Sequence, residues 1–199
     1  MNNPFSPGYY GSEELREFGF AAIGENVRVA RDCVIVGLEN IRIGDHCRID
    51  SGTRLLVASG HIHIGDYVHI HTGCMIGGRG GVEIGDFSSL SHDVCIVSAS
   101  DDFSGRSMFA SVVPEQFTNP KIAPVVIGRH CPLGMQSAIL PGVTIGDGAG
   151  IGVQTMVRKS LEPWTIYHGN PARRIGERKR ASLAMEEAIR SAAARGVAA

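Results

Sequence analysis

The stretch Ile64-Gly65-Asp66-Tyr67-Val68-His69-Ile70-His71-Thr72-Gly73-Cys74-Met75-Ile76 decides the fold. Its three isoleucines fall six residues apart, a period that belongs neither to a helix nor to a simple strand, and the same spacing runs outward in both directions. Toward the N-terminus it links Ile43, Ile49 and Leu55, and before them Ile23, Val29 and Ile35. Toward the C-terminus it links Ile84, Leu90 and Ile96 and then, after a gap, Ile127, Leu133, Ile139, Ile145, Ile151 and Val157. Several units open I-G-[DE], as at Ile23-Gly24-Glu25, Ile43-Gly44-Asp45, Ile84-Gly85-Asp86 and Ile145-Gly146-Asp147. Six residues make a short strand and a corner, and three such units close a triangular coil of about 18 residues, the signature of a β-helix. The aliphatic points inward and stacks on its counterparts, and the glycine after it supplies the backbone freedom of a tight corner.

The fifth position of each unit also points inward, near a corner that admits only small side chains. It reads Val27, Cys33, Cys47, Thr53, Val68, Cys74, Ser88, Val94, Cys131, Ser137, Val143, Ala149 and Thr155. Four of the five cysteines therefore read as small buried hydrophobes. The fifth, Cys95, falls outside the slot, and no CxxC pair exists to suggest a disulfide framework or a zinc ribbon.

Composition agrees with a packed, soluble chain. Of its 199 residues, 43% are hydrophobic and 20% charged, and the net charge of −1 gives no reason to expect nucleic acid or an anionic membrane as partner. The opening MNNPFSPGYY has no basic and apolar regions of a secretory signal, and no apolar run approaches a membrane span. A cytoplasmic location is the expectation. The repeat divides the chain into an N-terminal cap segment (1–22), a β-helix (23–176) and a C-terminal helix and tail (177–199). Ser12 to Phe18 is expected to form a short helix with Ser12 as its cap, and Ser182 to Arg195 a second one. Both are natural covers for the ends of a solenoid. Between Asp101 and Pro124 the repeat vanishes. An extruded loop with Phe103, Met108, Phe109 and Phe117 as apolar anchors fits there.

The I-G-x4 units, this loop and the closing Gly169-Asn170-Pro171-Ala172-Arg173 together resemble the hexapeptide-repeat acyltransferases. Ile139-Leu140-Pro141-Gly142-Val143-Thr144-Ile145-Gly146 is similar to the maltose, galactoside and xenobiotic acetyltransferase branch. Ser100-Asp101-Asp102-Phe103-Ser104-Gly105 and Trp164-Thr165-Ile166-Tyr167 look closer to enzymes of surface-polysaccharide synthesis, which acetylate sugars, nucleotide-linked amino sugars among them. The resemblance implies a left-handed parallel β-helix, a homotrimer, acetyl-CoA as donor with no metal, and an active site between subunits beneath the extruded loop. It assigns the pantetheine arm to the backbone groups of Gly134, Met135, Val153, Gln154, Thr155, Arg158 and Lys159, and the 3′-phosphate or pyrophosphate to Arg173, which with Arg158, Lys159 and Arg174 forms a late basic cluster. Guanidinium groups are good phosphate partners, which supports that last assignment.

At the start of the loop the maltose and galactoside branch has a histidine base. Counting from Ile84 places Asp101 there, and no histidine occurs between His92 and His130. Three readings follow. Asp101 or Asp102 takes the proton, which suits an amine acceptor better than a hydroxyl. His92, one unit before the loop, takes the missing histidine's place. Or His71, near one coil length earlier, contributes as a substrate-binding or basic group. Asn119, with Glu115 and Arg106, is a loop candidate for touching acceptor. The favoured expectation is acetylation of an amino sugar, and a sugar O-acetyltransferase of the maltose and galactoside type is the alternative. A γ-type carbonic anhydrase shares the coil but needs converging histidines at H-x4-H spacing, which are absent. A non-catalytic β-helix scaffold is argued against by the loop, the G-N-P-A-R segment and the late basic cluster.

Overall fold

The computed structural model describes residues 5–195. They wind into a left-handed parallel β-helix with three flat faces. In each coil the chain visits a first, a second and a third face in turn. The first face stacks Ala22–Ile23, Ile41–Ile43, Ile62–Ile64, Val82–Ile84, Val125–Ile127 and Thr144–Ile145 in parallel. The third stacks Val34–Val36, Arg54–Leu56, Met75–Gly77, Cys95–Val97, Ala138–Ile139 and Met156–Val157. The second carries seven parallel coil strands from Arg28–Ala30 to Thr165–His168 and is extended at its two ends by antiparallel Tyr9–Gly11 and Arg173–Glu177.

The expected stacking holds. Ile23, Ile43, Ile64, Ile84, Ile127 and Ile145 lie in register on the first face. Ile49, Ile70, Leu90 and Leu133 do so on the second, and Leu55, Ile76, Ile96 and Ile139 on the third. Nearly all these side chains are fully buried in one continuous core. The inward slot is buried as well, Cys33 only partly. Burial pushes the thiols of Cys33, Cys74 and Cys131 up to about 11 and that of Cys47 to about 12. These are inert protonated thiols.

The glycines after the aliphatics have a different reason than expected. Their φ is not left-handed; the corner's left-handed residue is the fourth of the unit, where Asn26, His46, Tyr67, Phe87, His130 and Trp164 all adopt φ between 52° and 57°. The glycine is needed because the next coil lies against it. A Cβ at Gly44 would come within 2.4 Å of the Asp66 carboxylate and 2.7 Å of the Gly65 backbone. The fourth-position side chains stack up the edge between the first and second faces. His46 and Tyr67, then Tyr67 and Phe87, sit with ring centroids 4.6 and 4.7 Å apart, and His130 and Trp164 continue the column.

The N-terminal helix takes its expected role with a different cap, and the C-terminal helix does not take its role. Helix α1, Ser12–Arg16, does drop Leu15 into the open mouth of the first coil, but Gly11 occupies the cap position. There the Gly11 N–H is held by the Glu14 carboxylate, and the Ser12 hydroxyl accepts from Val27 N–H at 2.8 Å instead. Helix α2, Ala181–Ala194, covers no end. It runs back along the aromatic edge, where buried Glu186 joins His130, Arg129 and Arg190, and Arg190 reaches Asp86. Leu161, Tyr167 and Ala172 close the C-terminal end of the core.

Candidate active site

The edge between the second and third faces gathers most of the residues singled out in the sequence. The residue after each second-face aliphatic stacks there as Asp50, His71, Ser91, Gly134, Gly152 and His168. Beside them run His92, Met135 and Val153, and then Gln136 and Gln154. The column follows from the parallel register of that face, which places each unit's second and third residues above those of the coil below.

At the lower end of this edge lies a polar array. Asp50 is only 7% exposed. Its carboxylate accepts from the Tyr9 hydroxyl at 2.7 Å and from Arg48 Nε at 2.7 Å, and it pairs with His69 Nε2 at 2.8 Å. Burial raises the pKa of this group, but the three hydrogen bonds outweigh it and hold it at about 2. His69 stacks on His71 at 3.7 Å between centroids, and His71 meets the His92 ring at 5.0 Å, edge to face. Burial, and then the neighbouring His69 and His92, hold the His71 imidazole below the ordinary 6.5, so it is neutral at pH 7. His92 is exposed at the top of the array.

Above the histidines the edge is bare. A Cβ at Gly134 would lie 2.6 Å from the Gly152 and Val153 backbone, and one at Gly152 would lie 2.4 Å from the His168 ring. Met135 and Val153 stand out from the edge, and Gln154 donates to Gln136 at 3.0 Å. Arg158, Lys159 and Arg173 are exposed at the C-terminal end of the same prism. An apolar, glycine-bared track that ends among cations fits a long thiol-bearing arm with phosphates at its far end. The Thr155 side chain is buried, accepting from Gly169 N–H and donating to the Val153 carbonyl, which leaves its backbone as the part that can face a ligand.

The extruded loop leaves from the other edge of the third face. It is rooted by the antiparallel pairing of Ala99–Ser100 with Lys121–Ile122. Asp101 and His92 are therefore separated, within one chain, by the third-face strand Cys95–Val97. Asp102 is a loop brace: its carboxylate accepts from Ser104 N–H and from the Ser107 hydroxyl, bonds that lower its pKa. The Asp101 carboxylate is exposed and makes no side-chain hydrogen bond among the described residues, and Asn119 is exposed on the returning limb. The loop's apolar anchors do not pack on their own chain. Phe103 and Val112 are each 90% exposed, Phe109 and Phe117 more than half. The third face likewise presents Val34, Val36 and Leu56 outward.

Ser91, one serine among many in the sequence, also stands on this edge. Its place directly above His71 and below Gly134 could have been found by aligning the coils rather than the hexapeptides, since His71 N–H donates to the Leu90 carbonyl and Ser91 N–H to that of Leu133.

A triangular prism with a glycine-bared edge, terminal cations and an extruded loop defines an acyltransferase of the β-helix class. Comparison with known proteins makes the assignment specific: the chain belongs to the hexapeptide-repeat acyltransferases. It is 36% identical to the dTDP-4-amino-4,6-dideoxy-D-glucose acyltransferase of Escherichia coli over 93% of this chain and 96% of that one. It is 30% identical to a putative colanic acid biosynthesis acetyltransferase, WcaF, of E. coli K12 over 82% of this chain and 72% of that one. Among solved structures, AntD, an N-acyltransferase from Bacillus cereus in complex with dTDP and 3-hydroxybutyryl-CoA, superposes with a TM-score of 0.88 at 36% identity, covering 93% of this chain and 97% of that one. No family profile matches the chain. No helix among the described residues is long and apolar enough to cross a membrane.

Proposed function

We propose that this enzyme transfers an acyl group from a coenzyme A thioester to the amino group of a nucleotide-linked amino sugar for a surface polysaccharide, in the cytosol. The observation that carries the reading is near-full-length similarity at 36% identity to an acyltransferase of dTDP-4-amino-4,6-dideoxy-D-glucose. It is joined by the AntD structure that holds dTDP-4-amino-4,6-dideoxyglucose together with coenzyme A. The chemistry agrees. A neutral amine attacks a thioester without prior deprotonation; the C–N bond forms, the C–S bond breaks, and the proton shed by the nitrogen matches the one the thiolate takes up. A carboxylate such as Asp101 suffices to hold and relay that proton, whereas a sugar hydroxyl would need a stronger base.

The active unit is a homotrimer in which the third faces turn inward and each loop drapes over the neighbour's edge. Support comes from the unpartnered apolar side chains on both surfaces, and from the separation of Asp101 and His92 on opposite edges of one chain. Gly134, Met135, Val153 and Gln154 then line the pantetheine arm, and Arg158, Lys159 and Arg173 meet the phosphates. His71, His92 and Asn119 face the acceptor. One spacing supports the assignment further. AntD was crystallised as variants of one serine and one aspartate ten positions apart, and Ser91 and Asp101 are ten apart here.

The test is the initial rate of thiol release with acetyl-CoA and with 3-hydroxybutyryl-CoA, each against dTDP-linked 4-amino and 4-hydroxy sugars. Release with the amine alone is expected. Equal rates with the 4-hydroxy sugar, or no release with either, would refute the proposal. The preferred thioester sets the acyl group.

A further inference from the structure

Away from the acyl-transfer edge, the outward side of the first face carries a second group of ligating side chains. His63 and Glu83 are in register on neighbouring coils, and His61 occupies the corner just before the same strand. The His61 and His63 rings lie 4.3 Å apart. The Glu83 carboxylate oxygen is 3.3 Å from His61 Nε2 and 4.0 Å from His63 Nδ1, and the three ligating atoms all lie within 4.8 Å of one another.

Two features mark this group out from a chance surface cluster. The first is that His61 Nε2 is a buried nitrogen with no hydrogen bond; its approach to Glu83 does not make one. Buried polar atoms are normally satisfied, and an orphan calls for a reason. The second is that the imidazole is seated deliberately. Gly81, at φ +91°, leaves the space into which the ring fits, and a Cβ there would stand 2.7 Å from its Cε1. A metal with bonds of about 2.1 Å in tetrahedral array holds its ligand atoms about 3.4 Å apart, close to the His61–Glu83 separation already present. Arg42 lies in register beneath His63 on the same face, and Arg129 lines the same groove beyond Glu83.

The contrast with Asp50, His69 and His71, the other such cluster, is informative. There the carboxylate is already occupied by Tyr9, Arg48 and His69, and a guanidinium stands in contact with it. Nothing is left over for a cation.

We propose that His61, His63 and Glu83 form a binding site for one divalent transition cation of zinc-like character. Two imidazoles and one carboxylate suit such an ion, with the remaining position open to water. The ion would clamp two successive coils at the edge from which, one coil further on, the extruded loop departs. This departs from the expectation of a metal-free protein and is independent of the acyl-transfer reading.

The experiment is a calorimetric titration of chelator-stripped full-length protein with zinc chloride at pH 7.5. The wild type is expected to bind one ion per chain. Glu83→Gln and His63→Asn, both solvent-facing changes, are each expected to weaken binding at least tenfold, while His69→Asn leaves it unchanged. Absence of binding in the wild type, loss in only one of the two site variants, or loss in His69→Asn would overturn the assignment. Should a variant fold poorly, the wild type decides: zinc must shift the imidazole proton resonances of His61 and His63 and leave those of His69 and His71 in place, and the reverse pattern refutes the site.

Discussion

Replacing Asp50 with Asn removes one charge and leaves the shape of the side chain. In the native protein three donors hold this nearly buried carboxylate, and its pKa falls from 3.8 to about 2. Each unit of depression corresponds to about 1.4 kcal/mol of preference for the ionised form, so the carboxylate contributes about 2 kcal/mol to stability at pH 7. The sign follows from linkage. A group whose pKa is lowered on folding stabilises the native state above its unfolded value, and that stabilisation is lost as pH falls through the folded value. The difference between wild type and Asp50→Asn should therefore be about 2 kcal/mol at pH 7, roughly half of that near pH 3, and nearly absent at pH 2. Urea denaturation followed by circular dichroism at the three pH values measures it. A difference that stays constant with pH would mean that packing, and not the charge, holds Tyr9, Arg48 and His69 together. No difference at pH 7 would mean that the array does not stabilise the fold.

Three further outcomes follow from named contacts. Gly44→Ala drives a methyl into the backbone of Gly65 and should cost about 2–3 kcal/mol in a denaturant melt, whereas Gly176→Ala, with nothing within 4 Å, should change stability by less than about 0.5 kcal/mol. Asp101→Asn should lower kcat by about 10²-fold or more, and Asp102→Asn, which leaves an acceptor for the loop brace, by much less; equal losses in steady-state assays would deny Asp101 a distinct role. Cys47, Cys74 and Cys131 should resist alkylation in the native protein and react on unfolding, as read by mass spectrometry.

The coil was legible because its signal is periodic and redundant. Ile43, Ile64 and Ile84 announce their stacking through spacing alone, and the inward slot of small residues corroborates it. The corner chemistry was not, because the left-handed position is taken by Tyr67, Phe87 and Trp164, residues with no intrinsic preference for it, held there by the coils above and below. Asp50 was missed because its partner Tyr9 lies 41 positions away on an arm that docks antiparallel to the coil. Helix α2 was read correctly as a helix, but its composition does not say where it packs; that depends on Glu186 meeting His130. Asp101 came from counting within the repeat, and counting could not reveal that the third face stands between it and His92.

That separation makes subunit complementation the most direct test of an active site shared between chains. A preparation carrying Asp101→Asn, impaired only in its loop, is mixed in equal amounts with one carrying His92→Ala, changed only at an exposed side chain of the edge, and the subunits are exchanged by unfolding and refolding. If each site takes its edge from one chain and its loop from the next, one site in about four combines two intact halves. Thiol release should then recover to about a quarter of the wild-type rate, although neither parent is active. Recovery no greater than the sum of the parents would place edge and loop in the same chain and contradict the shared site.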